Sequence, residues 1–268
     1  MKKTQLALAI GLMVSGSVYA AGFTNGGFEA GDLSGWTQGG GNWSANGDVN
    51  PPIYVPYTGV TLPTAPQYAS GTANNTIMTG GLDPITGANR VYSDKNSVRV
   101  NDSTNNWSVS TISQSVLGYA DNNIFFAWNA VLEASHGLPD SDYFSLTLRD
   151  DTTNTDLVSR AYSSAGSIGA GTTGVTWTAF NNNNWFSSGW VTEQVDLVAA
   201  NAVGHNFTLS LLASDCPYGG HAGYVYLDGF GATIPIEGSV PEPEILAMLA
   251  FGALGLATVR RRRLFKAA

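Results

Sequence analysis

From residue 22 to residue 238 no apolar stripe recurs at helical spacing. Short runs of β-branched and aromatic residues alternate with polar ones, and the runs are bounded by Gly, Asn, Asp or Ser. A chain with that pattern buries its apolar side chains chiefly by packing sheet on sheet. Strands are expected at residues 23–29, 97–101, 107–116, 123–132, 143–150, 157–162, 189–196, 206–213 and 223–233. The stretch from Asp150 to Asn154 is a polar turn, so residues 143–162 read as a β-hairpin. Short strands joined by long connections predict an all-β fold, a two-sheet jelly roll or β-sandwich. Residues 39–96 carry Pro51-Pro52 and many glycines without a sustained period. They are expected to form a long excursion over one face, with room for an isolated hairpin. Asn181 to Asn184 form a shorter polar tip.

The body keeps five basic residues, Arg90, Lys95, Arg99, Arg149 and Arg160, against 18 of the chain's 20 acids, a net charge of −13. Such a surface repels nucleic acid and anionic lipid, and it suits divalent cations or solubility outside the cell. One cysteine, Cys216, excludes an internal disulfide framework.

Both termini carry targeting chemistry. Lys2-Lys3 precede an apolar stretch from Leu6 to Val14, and Val18-Tyr19-Ala20 supplies a cleavage site. This reads as a secretory signal peptide over residues 1–21, cut after Ala20 or Ala21. At the other end Pro241-Glu242-Pro243 leads into an apolar run, Ile245 to Val259, that stops at Arg260-Arg261-Arg262-Arg263. The run spans about 22 Å as a helix, short of the ~30 Å hydrocarbon core. The arginines belong on the cytoplasmic side, which places the body outside. This tail resembles the PEP-CTERM sorting signal of exported bacterial proteins. The resemblance implies processing by an exosortase-type enzyme of the inner membrane, transient anchoring there, and a destination at the cell surface or in an exopolysaccharide matrix. An ordinary transmembrane anchor is the alternative. The expected domains are the signal peptide 1–21, a jelly roll 22–238, and a tail 239–268 with its helix at 245–259.

A second resemblance concerns the body. Asn25-Gly26-Gly27-Phe28-Glu29, followed by Gly31-Asp32-Leu33-Ser34-Gly35-Trp36, looks like the opening strand of galactose-binding-like jelly rolls. The segment from Gly223 to Phe230 looks like their closing strand, and Asp215-Cys216-Pro217-Tyr218-Gly219-Gly220-His221 is similar to stretches in modules of bacterial surface proteins. Many such jelly rolls are carbohydrate-binding modules. The resemblance implies a structural calcium held by Glu29 and Asp228, with Asp48 a third oxygen donor and backbone carbonyls completing the shell. The plainer alternative gives both carboxylates backbone hydrogen bonds at strand ends.

Two further groups stand out. Cys216, His221, His136 and Asp215, with Glu133 nearby in type, have the chemistry for zinc or a reactive thiol. The alternative is a buried cysteine beside a tight Gly219-Gly220 turn. Trp43, Trp177, Trp185 and Phe186 lie in polar loops and are candidates to stack on sugars, unless they fold back over a sheet. Trp36, Trp128 and Trp190 adjoin apolar strands and are assigned to the core. No paired carboxylates have a glycosidase context, and Asp140-Ser141-Asp142 reads as a turn. The expected function is a non-catalytic exported protein that binds extracellular polysaccharide, with no nucleic-acid partner. The alternatives are a structural or adhesive matrix protein without sugar affinity and a metal- or thiol-dependent hydrolase.

Overall fold

The computed structural model describes residues 22–43, 68–135, 141–164, 175–217, 219–231 and 233–234. Thirteen strands are named among them, and every pairing between them is antiparallel. They are β1 (Thr37–Trp43), β2 (Tyr68–Gly71), β3 (Asn75–Thr79), β4 (Asn96–Val100), β5 (Ser108–Val116), β6 (Asn123–Glu133) and β7 (Tyr143–Asp150), then β8 (Thr155–Ser163), β9 (Thr178–Phe180), β10 (Trp185–Ser187), β11 (Val191–Asp196), β12 (Phe207–Ser214) and β13 (Gly223–Gly231).

One sheet runs β2-β1-β5-β12-β7-β8 and the other β3-β4-β13-β6-β10-β9, with β11 also paired to β6. Strands β4 to β7 alternate between the sheets, and β12 and β13 return into the middle of each. That is a jelly-roll path, and the fold is an all-β sandwich.

Period-two alternation fills the space between the sheets. Ile124, Phe126, Trp128, Ala130 and Leu132 of β6 face Phe144, Leu146 and Leu148 of β7 and Phe207, Leu209 and Leu211 of β12 in one buried cluster. The outer faces of the central strands are buried as well, each under a smaller cluster. Met78, Val131, Trp185, Tyr224 and Tyr226 cover the β13 sheet, and Trp43, Val109, Tyr143 and Leu212 cover the β12 sheet.

Strand β7 falls at the expected residues, and β5, β6, β12 and β13 lie within two residues of them at each end. The hairpin also forms, with Asn154 at φ 62° in its turn. The polar tip is likewise a hairpin turn, in which Asn181, Asn182 and Asn183 all take positive φ. Residues 23–29, however, are a series of turns. Asn25 and Phe28 sit at φ 52° and 60°, which breaks an extended strand before it can pair. The long excursion holds three strands: most of β1, β2 and β3. Residues 44–67 of it lie outside the described residues, as do both terminal targeting segments. Among the described residues no helix is long and apolar enough to cross a membrane.

The opening turns plug one end of the sandwich. Phe23 packs on Phe230 at 3.8 Å and on Tyr119 at 5.1 Å, while Phe28 stacks on Trp36 at 5.1 Å. The approach is closest at Gly26, whose Cα lies so near β13 that an added Cβ would fall 1.7 Å from the Phe230 carbonyl oxygen. At Gly27 the nearest atoms to an added Cβ are 3.8 and 4.0 Å away. Gly26→Ala should therefore cost about 3 kcal/mol or more, while Gly27→Ala leaves the fold intact. Chemical denaturation of the two variants side by side checks this, and equal stabilities would contradict the packing of the plug.

Candidate functional site

The opening turns bring two carboxylates together. Asn25 organises them: its side chain donates to the Asp32 carbonyl at 2.9 Å and accepts from the Ala30 amide at 3.1 Å. The Phe230 amide then donates to the Gly26 carbonyl at 3.1 Å, which seats the turn beside β13. Asp228 is fully buried there. Its Oδ2 accepts from the amides of Tyr92 and Ser93, both at 2.9 Å, while Oδ1 is enclosed and meets no hydrogen-bond partner of good geometry among the described residues. Glu29, at the exposed rim, uses Oε1 to accept from the Lys95 and Asn96 amides at 3.1 and 2.9 Å. Burial, reinforced by the Glu29 charge, pushes the Asp228 carboxyl up to about 7 against the pull of its amide donors.

The strand-end hydrogen bonds expected as the plainer alternative are thus present. They use one oxygen of each carboxylate and leave Asp228 Oδ1 facing the Gly27 backbone, where an added Cβ would lie 4.0 Å from it. Hard oxygen donors of this kind fit calcium. Asp48 lies outside the described residues.

The candidate aromatic residues are mostly interior. Trp43 is buried on the outside of the β12 sheet and donates from Nε1 to the Asp215 carbonyl at 3.0 Å. Trp185 is buried 6.1 Å from the Tyr224 ring, and Phe186 is buried beside it. Trp177 is half-buried with its ring edge-on to Tyr162 at 5.4 Å. Enclosed ring faces cannot stack on a sugar, so Trp43, Trp185 and Phe186 act as covers for the sheets.

A different pair is available. Tyr92 and Trp190 are both half-buried, with part of each ring open, ring centroids 5.4 Å apart and planes tilted by 54°. Trp190 donates from Nε1 to the Asn89 carbonyl at 2.8 Å, and the Thr192 hydroxyl donates to the Tyr92 hydroxyl at 3.1 Å. Trp190 also lies 6.2 Å from the Tyr226 ring.

Below this surface, the hydroxyls of Tyr224 and Tyr226 both donate to Asp83 Oδ2, at 2.7 and 2.8 Å. Asp83 Oδ1 accepts from the Ile85 amide and from the amide and hydroxyl of Thr86. Burial works to raise the Asp83 carboxyl, but these donors together outweigh it and hold the group below its ordinary range. The tyrosines thereby fasten the β3–β4 connection to the outer face. Trp190, expected in the core, packs partly buried against the outer cluster that contains Tyr224 and Tyr226, with part of its ring left open.

Cys216 and His221 share one closed loop. The Cys216 amide donates to the His221 carbonyl at 2.8 Å, the Gly220 amide to the Cys216 carbonyl at 3.0 Å, and the Gly219 amide to Cys216 Sγ at 3.2 Å. The thiol is completely buried, which removes it from solvent reagents. Asp215 accepts from the Asn101 side chain at 2.9 Å and from the amides of Ser108 and Asn106 at 3.0 and 3.2 Å. These bonds tie down the β4–β5 connection. His136 lies outside the described residues. Among the described residues no group of three or more His, Cys, Asp or Glu side chains is arranged to hold a metal. The loop fastens the chain between β12 and β13.

Behind it sits Asp142, completely buried and without a hydrogen bond of good geometry to either carboxyl oxygen. Burial drives its pKa well above the ordinary range, and the nearby Asp215 adds to the rise. Burial likewise lifts Asp215 to about 8.

Residues 239–263 match the PEP-CTERM protein-sorting motif. No curated protein matches the chain. Among solved structures, the carbohydrate-binding module TmCBM61, in complex with β-1,4-galactotriose, is 10% identical with a TM-score of 0.37, over 78% of this chain and 96% of that one. The K1 adhesin domain of Lys-gingipain from Porphyromonas gingivalis W83 is 11% identical with a TM-score of 0.33, over 76% and 94%. A cyclase from Fischerella sp. TAU is 13% identical with a TM-score of 0.35, over 81% and 100%.

The buried acids set a pH dependence. With folded pKa values above the unfolded 3.8, Asp142 and Asp215 hold protons that the unfolded chain has lost. The Asp215 contribution is complete below about pH 4 and is lost as pH rises through about 8, and that of Asp142 is lost in the same direction. Thermal melts from pH 5 to 9 should show Tm falling toward the alkaline end. Asp142→Asn should flatten that fall and raise Tm at pH 8 by roughly 3 °C. If the Asp142→Asn protein instead melts with the wild-type slope, Asp142 is ionised in the fold.

Proposed function

We propose that this is a non-catalytic exported protein that binds extracellular polysaccharide on the outer face of its β13 sheet. The observation that carries the reading is the partly open Tyr92/Trp190 pair. Among the described residues Tyr92 and Trp190 keep part of their ring surface open beside carbonyl and hydroxyl groups, whereas Trp43, Trp185, Tyr224 and Tyr226 on the outer faces are buried. Pyranose rings present C–H faces that gain from aromatic contact, while their hydroxyls exchange hydrogen bonds with groups such as Thr192 and the Asn89 amide. The sorting tail agrees with this role. In our reading, Pro241-Glu242-Pro243 and the arginine cluster hold the chain briefly at the inner membrane for an exosortase-type enzyme. The body is then presented at the cell surface or in the matrix.

We assign Glu29 and Asp228 as ligands of a structural calcium, with main-chain carbonyls of the opening turns and water completing its shell. The ion supplies countercharge to Asp228 and performs no chemistry on the glycan. Because Asp228 also accepts from the Tyr92 amide, the ion and the ring platform share one support.

Affinity electrophoresis through gels containing neutral and charged polysaccharides tests the binding role. Trp190→Ala should keep the wild-type melting temperature within about 3 °C and weaken retardation roughly tenfold. Wild-type protein that no polysaccharide retards would instead support the structural matrix role. For the ion, calcium should raise Tm by several degrees and chelator should reverse it, while Asp228→Asn loses the response. A calcium shift that survives in Asp228→Asn would overturn the ligand assignment.

A further inference from the structure

We infer that the polysaccharide taken by the Tyr92/Trp190 surface is an acidic one, recognised through its carboxylate or sulfate groups by Arg99 and Arg90. The inference rests on the reading of that surface as a glycan site and concerns what kind of chain it selects.

The argument begins with where the few cations are. Two of the five basic residues of the body are neutralised internally. Arg149 lies 3.4 Å from Asp156 and 3.7 Å from Asp151, and Arg160 grips Glu193 with Nε and Nη2, each at 2.8 Å. The other three, Arg90, Lys95 and Arg99, fall between the end of β3 and the end of β4, and none forms an ion pair among the described residues. A body with 18 acidic residues has ample carboxylate to pair them. Among the described residues it leaves them without an ion pair, and two of them, Arg90 and Arg99 (whose Nε donates to the Asn101 carbonyl at 3.0 Å), share one face.

That face is the one with the ring platform. Arg99 lies opposite Tyr226 in the β4–β13 register, and its guanidinium carbon sits 5.9 Å over the Tyr224 ring. Tyr224 meets Tyr226 edge-on at 5.7 Å, and Tyr226 lies 6.2 Å from Trp190. Arg90 follows Asn89, the residue that accepts from Trp190, and its Nη2 donates to the Gly80 carbonyl at 3.2 Å. Both arginines are half-buried, a position in which an unpaired cation gains from an arriving anion.

The nearby carboxylate does not answer them. Both oxygens of Asp83 are occupied by the tyrosine hydroxyls and by Ile85 and Thr86. Guanidinium groups match planar carboxylates and sulfates in two-point contact. The remaining acidic surface would repel a polyanion and so direct it to this patch.

The test uses the full chain in mild detergent with chelator present, so that no cation bridges carboxylates. Retardation is measured in gels of dextran, carboxymethyl-dextran and dextran sulfate, which share one backbone, and in gels of neutral galactan, xylan and mannan. The expected result is retardation by a charged dextran but not by dextran, weakening as salt is raised. Arg99→Gln should lower it about tenfold, Arg90→Gln less, and Arg99→Lys should restore part of it. Comparison of the carboxymethyl and sulfate gels identifies the anion.

Equal retardation by charged and neutral polymers would overturn the charge selection and leave the glycan reading standing. So would charged-gel retardation unchanged in a folded Arg99→Gln, Arg90→Gln double variant. Failure of every gel to retard the wild type would remove both.

Discussion

Three buried aspartates hold the irregular parts of this sandwich to its regular parts. Asp228 accepts the amides of Tyr92 and Ser93, Asp215 those of Asn106 and Ser108, and Asp83 those of Ile85 and Thr86. Each therefore satisfies main-chain donors in a connection that has no sheet partner for them. An unsatisfied buried amide costs about 1–3 kcal/mol, and a carboxylate acceptor is among the stronger remedies. All three connect directly to β13: Asp228 lies in it, Asp83 receives its Tyr224 and Tyr226 hydroxyls, and Asp215 accepts from its Gly223 amide at 3.4 Å. The last strand is thus a core element and also the rail on which the earlier loops hang.

The solution suits a chain with a single cysteine. Exported domains often fasten loops with disulfides, and here Cys216 is buried and closes its own loop through N–H contacts to its sulfur and main chain. Carboxylate fastening carries an electrostatic cost that disulfides lack. Burial raises Asp215 and Asp228 to about 8 and about 7, so neither is fully at ease as an anion. Asp83 escapes this because two tyrosine hydroxyls and three donors from its own loop surround it. The difference between the three is the number and quality of donors, not depth alone.

Legibility in the sequence followed the same division. Strands with alternating apolar residues, such as β7 and β12, could be placed because their burial pattern is written in period two. Strand β1 could not: Thr37-Gln38-Gly39-Gly40-Gly41-Asn42-Trp43 has almost no strand propensity, and it forms because β2 and β5 supply partners on both sides. The opening Phe23–Glu29 segment has apolar residues at strand-like spacing, yet Asn25 and Phe28 adopt left-handed conformations that propensity does not reveal. The meeting of Glu29 and Asp228 was legible only through resemblance to a family. The Tyr92/Trp190 pair was not legible at all, since Tyr92 and Thr192, which bracket it, are 100 residues apart and meet only through the sheet.

The proposed platform and the proposed cation site share one carboxylate. Asp228 holds the Tyr92 amide with one oxygen and leaves the other enclosed without a hydrogen-bond partner of good geometry among the described residues. When Asp228 is protonated it is a weaker acceptor for Tyr92 and Ser93, so the segment carrying half of the platform loosens. A cation seated between Glu29 and Asp228, as proposed, would fix the anionic form and strengthen both amide bonds together. The same ion would neutralise acids next to Lys95 and leave the arginines of β4 and its approach as the dominant local charge. Cation binding and selection of an acidic glycan would then reinforce each other through one carboxylate, without any movement of the sheets.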